Sequence, residues 1–262
     1  MGDSEAVRYD ARGPAAWLTI DREDRRNALS DDVIEGLLAG LERASSADRV
    51  RAVVVTGAGE RAFCAGGDLG GNLGPNEGRV QSHDRRGAVA ALLRTIATHP
   101  QPVIARVGGV ALAGGFGLML ACDLVVAADD VEVGTPEVNL GLWPYMISAV
   151  LSRNLPRKVM TEMMMTGRRY SAAEAERWGM VNRVVPRAEL DAAVGQLVDE
   201  VASKSPLILR LGKESLFRSQ DMPFDQALAY LQAMLTVNLE SEDVAEGISA
   251  FLQKRKPEWK GR

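Results

Sequence analysis

The segment "ALAGGFGLML", from Ala111 to Leu120, places three glycines where a buried helix is about to begin. Gly114, Gly115 and Gly117 stand among good helix formers, although a glycine destabilises a helix interior by roughly 1 kcal/mol relative to alanine. Two explanations stay open at this point. The glycines could leave free N–H groups at a helix start for an anion, or they could let the helix pack closely against a neighbouring backbone.

The surrounding pattern restricts which anion could bind. No lysine follows the glycines as a phosphate-binding loop requires, and their spacing does not match the dinucleotide-binding fingerprint. A second glycine-rich segment, "FCAGGDL" (63–69), lies upstream. Two backbone N–H groups from separate segments that meet at one point would form an oxyanion hole, in which each donor contributes about 100- to 1000-fold in rate.

Composition excludes several classes of function. The 262 residues are 46% hydrophobic and 25% charged with a net charge of −4, so we expect a globular protein without a nucleic-acid or membrane partner. The apolar run from 107 to 128 contains Asp123, which favours a buried helix and strand over a membrane span. Cys64 and Cys122 lie in apolar stretches, and the N-terminus has no signal pattern, so we predict reduced thiols and a cytoplasmic protein.

Strand and helix patterns alternate through the first half of the chain. "AVRYD" and "AAWLTIDR" predict a hairpin, and Ser30 is the expected N-cap of a helix with an apolar stripe at Val33, Leu37 and Leu41. "VRAVVVTG", "PVIARV", "DLVVAA" and "VEVGTPEV" predict strands, and "AVAALLRTIATHP" predicts a helix. The glycine-rich segment 57–78 between them predicts a long functional loop. Repeated strand–strand–helix units indicate an α/β layered core.

After "VNRVVP" the strand patterns stop. Four helices are predicted in the remainder: Ala188–Ser203, Pro206–Ser219, Pro223–Leu239 and Ser241–Lys254. We therefore divide the chain into an α/β core with the site, residues 1–203, and a helical region, residues 204–262.

Several segments together resemble the enoyl-CoA hydratase/isomerase (crotonase) superfamily. They are "NALS", "FCAGGDL", "GGVALAGGFGLMLACDLVVAADDVEVGTPEVNLGLWP", "TGRRYSAAEAERWGMVNRVVP" and "EGISAFLQKRKPEW", in the family's order over nearly the whole chain. The resemblance implies a spiral of strand–strand–helix units with a helical C-terminal region that mediates oligomerisation, as a homotrimer or a dimer of trimers. It implies an acyl-CoA thioester as substrate, with coenzyme A entering as part of it, and neither a separate cofactor nor a metal.

The same resemblance assigns the catalytic groups. Gly67 and Gly114 would form the oxyanion hole, while Gly115 and Gly117 would keep an acyl channel open. Glu137 matches the family's catalytic glutamate. It follows a strand amid apolar neighbours, where desolvation would raise its pKa towards the range of a proton shuttle, although a solvent-exposed loop glutamate is the alternative.

One position departs from the family's pattern. Hydratases carry a second glutamate three residues beyond the oxyanion glycine, and that position here is Gly117. A single carboxylate can move a proton between two carbons, so the sequence favours isomerisation of 3-enoyl to 2-enoyl thioesters. A divergent hydratase, an acyl-CoA decarboxylase and a non-catalytic acyl-CoA binder remain alternatives. Asp68 could enter the site, although we expect it near coenzyme A, and Glu162 is expected to be a surface residue of a helix. Tyr145 lies one residue late for the tyrosine of family decarboxylases.

Substrate contacts follow from the same resemblance, with solvated surface charges as the alternative for the basic residues. The residues expected along coenzyme A are Arg25, Arg26, Ala28, Ala65, Gly66, Asp68, Leu69 and Lys254. Trp143 and Tyr145 are expected as walls of the acyl pocket. A Clp-type serine protease of similar fold is excluded, because the glycine motif has no serine and the chain has only two histidines, His83 and His99.

Overall fold

The structure, a computed structural model, describes residues 6–68 and 78–262, and its strands form two sheets. The strands are β1 (Val7–Arg12), β2 (Ala15–Ile20), β3 (Ala52–Gly57), β4 (Ala62–Cys64), β5 (Val103–Val107), β6 (Val110–Leu112), β7 (Leu124–Ala128), β8 (Glu132–Gly134), β9 (Arg169–Ser171) and β10 (Arg183–Val185). The helices are α1 (Asp31–Ser45), α2 (Arg79–Ala97), α3 (Gly114–Ala121), α4 (Tyr145–Asn154), α5 (Arg157–Thr166), α6 (Ala172–Arg177), α7 (Leu190–Ala202), α8 (Pro206–Ser219), α9 (Phe224–Leu239) and α10 (Glu242–Leu252).

The N-terminal hairpin and first helix form as the sequence predicts. β1 pairs antiparallel with β2. The Ser30 side chain accepts a hydrogen bond from the N–H of Val33 at 3.4 Å, which caps α1. Val33, Leu37 and Leu41 are all buried on the core side of α1, as their four-residue spacing requires.

The chain alternates between the two sheets. In the larger sheet, ordered β1-β2-β3-β5-β7-β10, every pair beyond the hairpin is parallel. In the smaller sheet β4, β6 and β8 are parallel neighbours, and β9 closes the edge antiparallel to β8. Each passage along the chain therefore adds one strand to each sheet, from β3 to β4, from β5 to β6 and from β7 to β8. This arrangement confirms the predicted strand–strand–helix repeat.

Three short strands were not anticipated, and one of them is β9, which pairs with β8. β4 lies inside the segment predicted as a long loop, and β6 directly precedes the glycines of the opening segment. Each has three residues, too few for a two-residue alternation to be read. Their pairing partners are also distant in the chain, since Cys64 pairs with Ala111. Only tertiary pairing identifies them as strands.

The C-terminal region is helical, as predicted, with α7 to α10 following the last strand. Helices α8, α9 and α10 leave many large apolar side chains exposed: Leu216, Phe224, Leu228, Leu231, Leu235, Val237, Leu239, Ile248, Phe251 and Leu252. Within the described residues, no helix combines the length and apolar character that crossing a bilayer would need.

A partly exposed ion pair holds α8 against the core. Lys213 Nζ donates to Asp123 Oδ2 at 2.7 Å and to the carbonyl oxygen of Ile96 at 2.9 Å. The same Asp123 oxygen accepts from the N–H of Val103 at 2.7 Å. Burial raises the pKa of Asp123 and lowers the pKa of Lys213, and the attraction between them opposes both shifts. The pair thereby joins the C-terminal region to the start of β5 and the end of α3.

Removing one partner of this pair should destabilise the fold. Lys213→Met leaves the partly exposed Asp123 carboxylate without its cation, and we expect the free energy of unfolding to fall by about 1.5 kcal/mol. Urea denaturation followed by circular dichroism measures the loss. Lys204→Met, at an exposed lysine nearby in the chain, is the matched control. A loss no larger than that of the control would contradict the structural role of the pair.

Candidate active site

The predicted site residues follow three neighbouring strands of the smaller sheet. β4, β6 and β8 are parallel and adjacent, so the segments that follow them leave the same edge of the sheet. These segments contain Gly67, Gly114 and Glu137 respectively. The N–H of Ala113 donates to the carbonyl oxygen of Gly134 at 2.9 Å, which ties the second segment to the third. Ligands commonly bind at the carboxyl ends of parallel strands for this reason.

Backbone pairing fixes the direction of the Gly67 amide. The segment before α1 runs parallel to residues 65–68, with the Leu29 N–H donating to Gly66 O at 2.7 Å and the Asp68 N–H donating to Leu29 O at 3.0 Å. This is a parallel bridge between Leu29 and Gly67. In such a bridge the polar groups of the central residue face away from the partner strand. The N–H of Gly67 therefore points away from Leu29.

The second amide belongs to the first residue of α3. Gly114 begins that helix, so its N–H has no intrahelical acceptor. Ala113 before it has φ 52° and ψ −128°, a strained backbone for a residue with a side chain, of the kind that concentrates at functional sites. A Cβ built on Gly114 would lie 3.6 Å from the Gly67 nitrogen, so the two segments are adjacent. Within residues 6–68 and 78–262, neither amide has an acceptor.

Glu137 follows β8 in a short 3₁₀ helix, Pro136–Leu140. Its side-chain oxygen Oε2 is buried and has no hydrogen-bond partner among the described residues. Burial raises the pKa of this carboxyl above its ordinary value, and a hydrogen bond to its own backbone opposes the shift in part. A carboxylate with one unused buried oxygen and a raised pKa is suited to accept and return a proton.

The structure corrects the expectation that Gly115 and Gly117 keep an acyl channel open. A Cβ on Gly115 would lie 2.7 Å from the carbonyl carbon of Cys64, so this glycine allows α3 to approach β4. A Cβ on Gly117 would lie 2.6 Å from Cβ of Ile147 in α4. Both positions are filled by protein rather than open. The close-packing explanation is correct for these two glycines, whereas Gly114 has space beside it.

Two residues that the sequence did not single out support the first amide. Arg22 Nη1 donates to Ala28 O at 3.2 Å and to Asp68 Oδ2 at 3.0 Å, so it links the segment before α1 to the segment after β4. Asn27 is fully buried, and its side-chain amide donates to Ala58 O and Ala62 O at 3.0 and 2.7 Å. The spacing of Arg22 and Asn27 does not indicate these roles, because the roles depend on contacts with residues distant in the sequence, such as Asp68 and Ala62.

The predicted substrate contacts have varied locations. Ala28, Ala65, Gly66 and Asp68 lie in or beside the two paired segments, and Arg26 O accepts the Ala65 N–H at 3.1 Å. The remaining residues are exposed: Arg25 and Arg26 by the 3₁₀ turn before α1, Trp143 and Tyr145 at the start of α4, and Lys254 after α10. Tyr145 is 77% exposed, so it does not face an enclosed cavity of this chain. Leu69 lies outside the described residues.

The other predicted acids have side-chain partners of their own. Asp68 pairs with Arg22 as described, and Glu162 accepts from the Tyr170 hydroxyl at 3.2 Å. Among residues 6–68 and 78–262, no three His, Cys, Asp or Glu side chains group closely enough to ligate a metal ion. The described site thus contains two amides without an acceptor and a carboxylate oxygen without a partner among the described residues. The buried hydroxyl of Thr135, two residues before Glu137, also has no partner there.

Comparison with known proteins identifies the family. The sequence profile described as enoyl-CoA hydratase/isomerase matches residues 12–262. The chain belongs to this family. A carnitinyl-CoA dehydratase of Escherichia coli (strain SMS-3-5 / SECEC) is 36% identical over 264 residues, covering 99% of this chain and 100% of the relative. A carnitinyl-CoA dehydratase of Salmonella enteritidis PT4 is 35% identical with the same coverage.

Solved structures of enoyl-CoA hydratase/isomerase proteins have the same fold. An enoyl-CoA hydratase from Mycobacterium smegmatis superposes with a TM-score of 0.92 at 33% identity, covering 97% of this chain and 98% of that one. Human enoyl Coenzyme A hydratase domain-containing protein 3 superposes with a TM-score of 0.92 at 31% identity, covering 97% and 100%. The crotonase-like spiral that the sequence implied is therefore confirmed, and the chain is an enzyme of this family.

The raised pKa of Glu137 predicts a pH-dependent stability. The folded state favours the protonated carboxyl, so the wild type loses stability as pH rises from the unfolded pKa, about 4.3, through the higher folded pKa. Glu137→Gln removes this titration. Its melting temperature should match that of the wild type near pH 4 and exceed it at pH 8. Differential scanning fluorimetry measures both, with the exposed Glu35→Gln as control. A variant that is less stable than wild type at pH 8 would contradict the burial of this charge.

Proposed function

We propose that this enzyme isomerises 3-enoyl-CoA to 2-enoyl-CoA thioesters with a single carboxylate. The observation that carries the proposal is that three adjacent parallel strands are followed by the Gly67 amide, the Gly114 amide and the Glu137 carboxylate. Among the described residues, neither amide has an acceptor and the buried Glu137 Oε2 has no hydrogen-bond partner. The absence of space for a side chain at position 117 supports it further. A proton shuttle needs one such group, whereas addition of water also needs a group that holds and polarises the water.

The reaction begins with removal of a proton. Glu137 takes a proton from C2 of the thioester, and the electron pair delocalises onto the carbonyl oxygen and over the C3=C4 double bond. The N–H groups of Gly67 and Gly114 donate to that oxygen and stabilise its charge, each contributing about 100- to 1000-fold. Glu137 then returns the proton to C4, and the double bond moves to C2=C3. No atom is gained or lost.

Coenzyme A enters this proposal as part of the substrate, without a further cofactor. The segments that carry Ala28, Ala65, Gly66, Asp68 and Leu69 would lie along its pantetheine, and Arg25, Arg26 and Lys254 would bind its phosphates. Trp143 and Tyr145 would contact the acyl chain. Tyr145 is largely exposed, so we assign its contact to the substrate or to a neighbouring subunit.

The exposed apolar side chains of α8 to α10 support assembly as a homotrimer or a dimer of trimers. Large exposed apolar patches mark interaction surfaces. Cys64 and Cys122 are buried and unpaired, and burial raises the pKa of the Cys64 thiol to about 12. Two inert thiols suit a protein of the cytoplasm.

Reversible dehydration of a 3-hydroxyacyl-CoA is the second candidate function. It is favoured by the relatives named carnitinyl-CoA dehydratase, at 35–36% identity over the whole chain. Decarboxylation and binding without turnover are weaker candidates, because no described feature favours them over proton transfer by Glu137.

Replacing the carboxylate should abolish proton transfer without preventing binding. We expect Glu137→Gln to lower the isomerisation of 3-hexenoyl-CoA, and deuterium exchange at C2, by about 100- to 10,000-fold. Binding of an acyl-CoA, measured by calorimetry, should change little. Glu132→Gln, at an exposed glutamate of the neighbouring strand β8, is the matched control and should retain wild-type turnover.

Two outcomes would contradict the proposal. Wild-type turnover by Glu137→Gln would remove this residue from the mechanism. Hydration of crotonyl-CoA faster than isomerisation of 3-hexenoyl-CoA by the wild type would favour the second candidate function.

A further inference from the structure

The side chain of Ile147 in α4 fills the space beside Gly117 in α3. A Cβ built on Gly117 would overlap Ile147 Cγ2, would lie 2.6 Å from Ile147 Cβ, and would lie 3.7 Å from its Cα. Ile147 is 4% exposed and belongs to the first turn of α4. Any side chain at position 117 would therefore overlap Ile147 already at its Cβ atom.

This overlap cannot be relieved by a small rearrangement. Isoleucine is branched at Cβ and has one strongly preferred rotamer in a helix, so its Cγ2 cannot rotate away freely. Alanine at position 147 would keep the Cβ at 2.6 Å, and only glycine would clear the space. The N–H of Gly117 is bonded to the Ala113 carbonyl oxygen at 3.1 Å, which fixes the backbone of α3 at the turn that carries Gly114.

The geometry points to Ile147 as the residue that determines reaction specificity. Its side chain fills the volume that a second carboxylate at position 117 would require, one helical turn from the oxyanion glycine Gly114. This inference rests on the proposed function. With a methyl-bearing side chain in that volume, water has no acceptor or base there, and the thioester meets only the carboxylate of Glu137. The site therefore moves a proton between C2 and C4, and it does not add the oxygen of water to C3 with a proton to C2.

The inference makes Gly117 and Ile147 a coupled pair, so a carboxylate requires both changes. We expect Gly117→Glu alone to give no gain in hydration of crotonyl-CoA. Gly117→Glu combined with Ile147→Gly should raise hydration by roughly 100-fold, the typical contribution of a positioned acid or base. Gly117→Gln with Ile147→Gly is the matched control of equal size without the charge. Ile147→Gly alone controls for the cavity.

A second measurement is independent of the reaction. Gly117→Ala adds only the overlapping Cβ, and we expect the melting temperature to fall by about 5 °C or more through overpacking. The double variant with Ile147→Gly should lose less than the sum of the two single losses. This coupling tests the packing even if no variant hydrates a thioester or if the proposed isomerisation fails.

The outcomes separate the two hypotheses. Equal hydration by Gly117→Glu with and without Ile147→Gly, or additive melting temperatures, would overturn the role of Ile147. A folded double variant that isomerises at the wild-type rate without gaining hydration over its glutamine control would also overturn it. If the wild type does not isomerise 3-hexenoyl-CoA while the melting temperatures still show coupling between Gly117 and Ile147, only the proposed function is refuted.

Discussion

The structure depends on a short parallel pairing between the segment before α1 and the segment after β4. Leu29 exchanges two backbone hydrogen bonds with Gly66 and Asp68, which consumes their polar groups on one side and directs the N–H of Gly67 to the other. The smaller sheet brings the start of α3 to the same place, because β4 and β6 are parallel neighbours. Two amides of distant sequence origin are held by main-chain geometry alone, so the site is organised before any ligand binds.

The segment after β8 contributes Glu137, the carboxyl group of the described site that can gain and lose a proton. Glu137 is buried enough for its pKa to rise, and its second oxygen is left without a partner. Burial makes the folded protein slightly less stable when the Glu137 carboxyl is ionised, and the unpartnered oxygen is available to act as a base on a substrate. One helical turn from Gly114, the protein presents apolar packing between Gly117 and Ile147. The lack of a second carboxylate at position 117 is thus a property of how α3 and α4 pack.

The parts predictable from sequence are those with local signals. The hairpin, the Ser30 cap and the stripe of α1 follow from patterns within a few residues, and the family's motifs locate Gly67, Gly114 and Glu137. The strands β4 and β6 have three residues each and no alternation to read, so only their pairing reveals them. The functions of Gly115 and Gly117 were misassigned, because their neighbours Cys64 and Ile147 lie far away in sequence. Arg22 and Asn27 were missed for the same reason, since their partners become adjacent only in the folded chain.

A crystal structure with a bound, unreactive acyl-CoA would show whether both amides bind the thioester oxygen. We expect the thioester carbonyl oxygen to lie about 2.7–3.1 Å from the backbone nitrogens of both Gly67 and Gly114, with a Glu137 oxygen facing C2 of the acyl group. A carbonyl oxygen bound elsewhere, or either amide turned away from it and bonded within the protein, would refute an oxyanion hole formed by these two glycines.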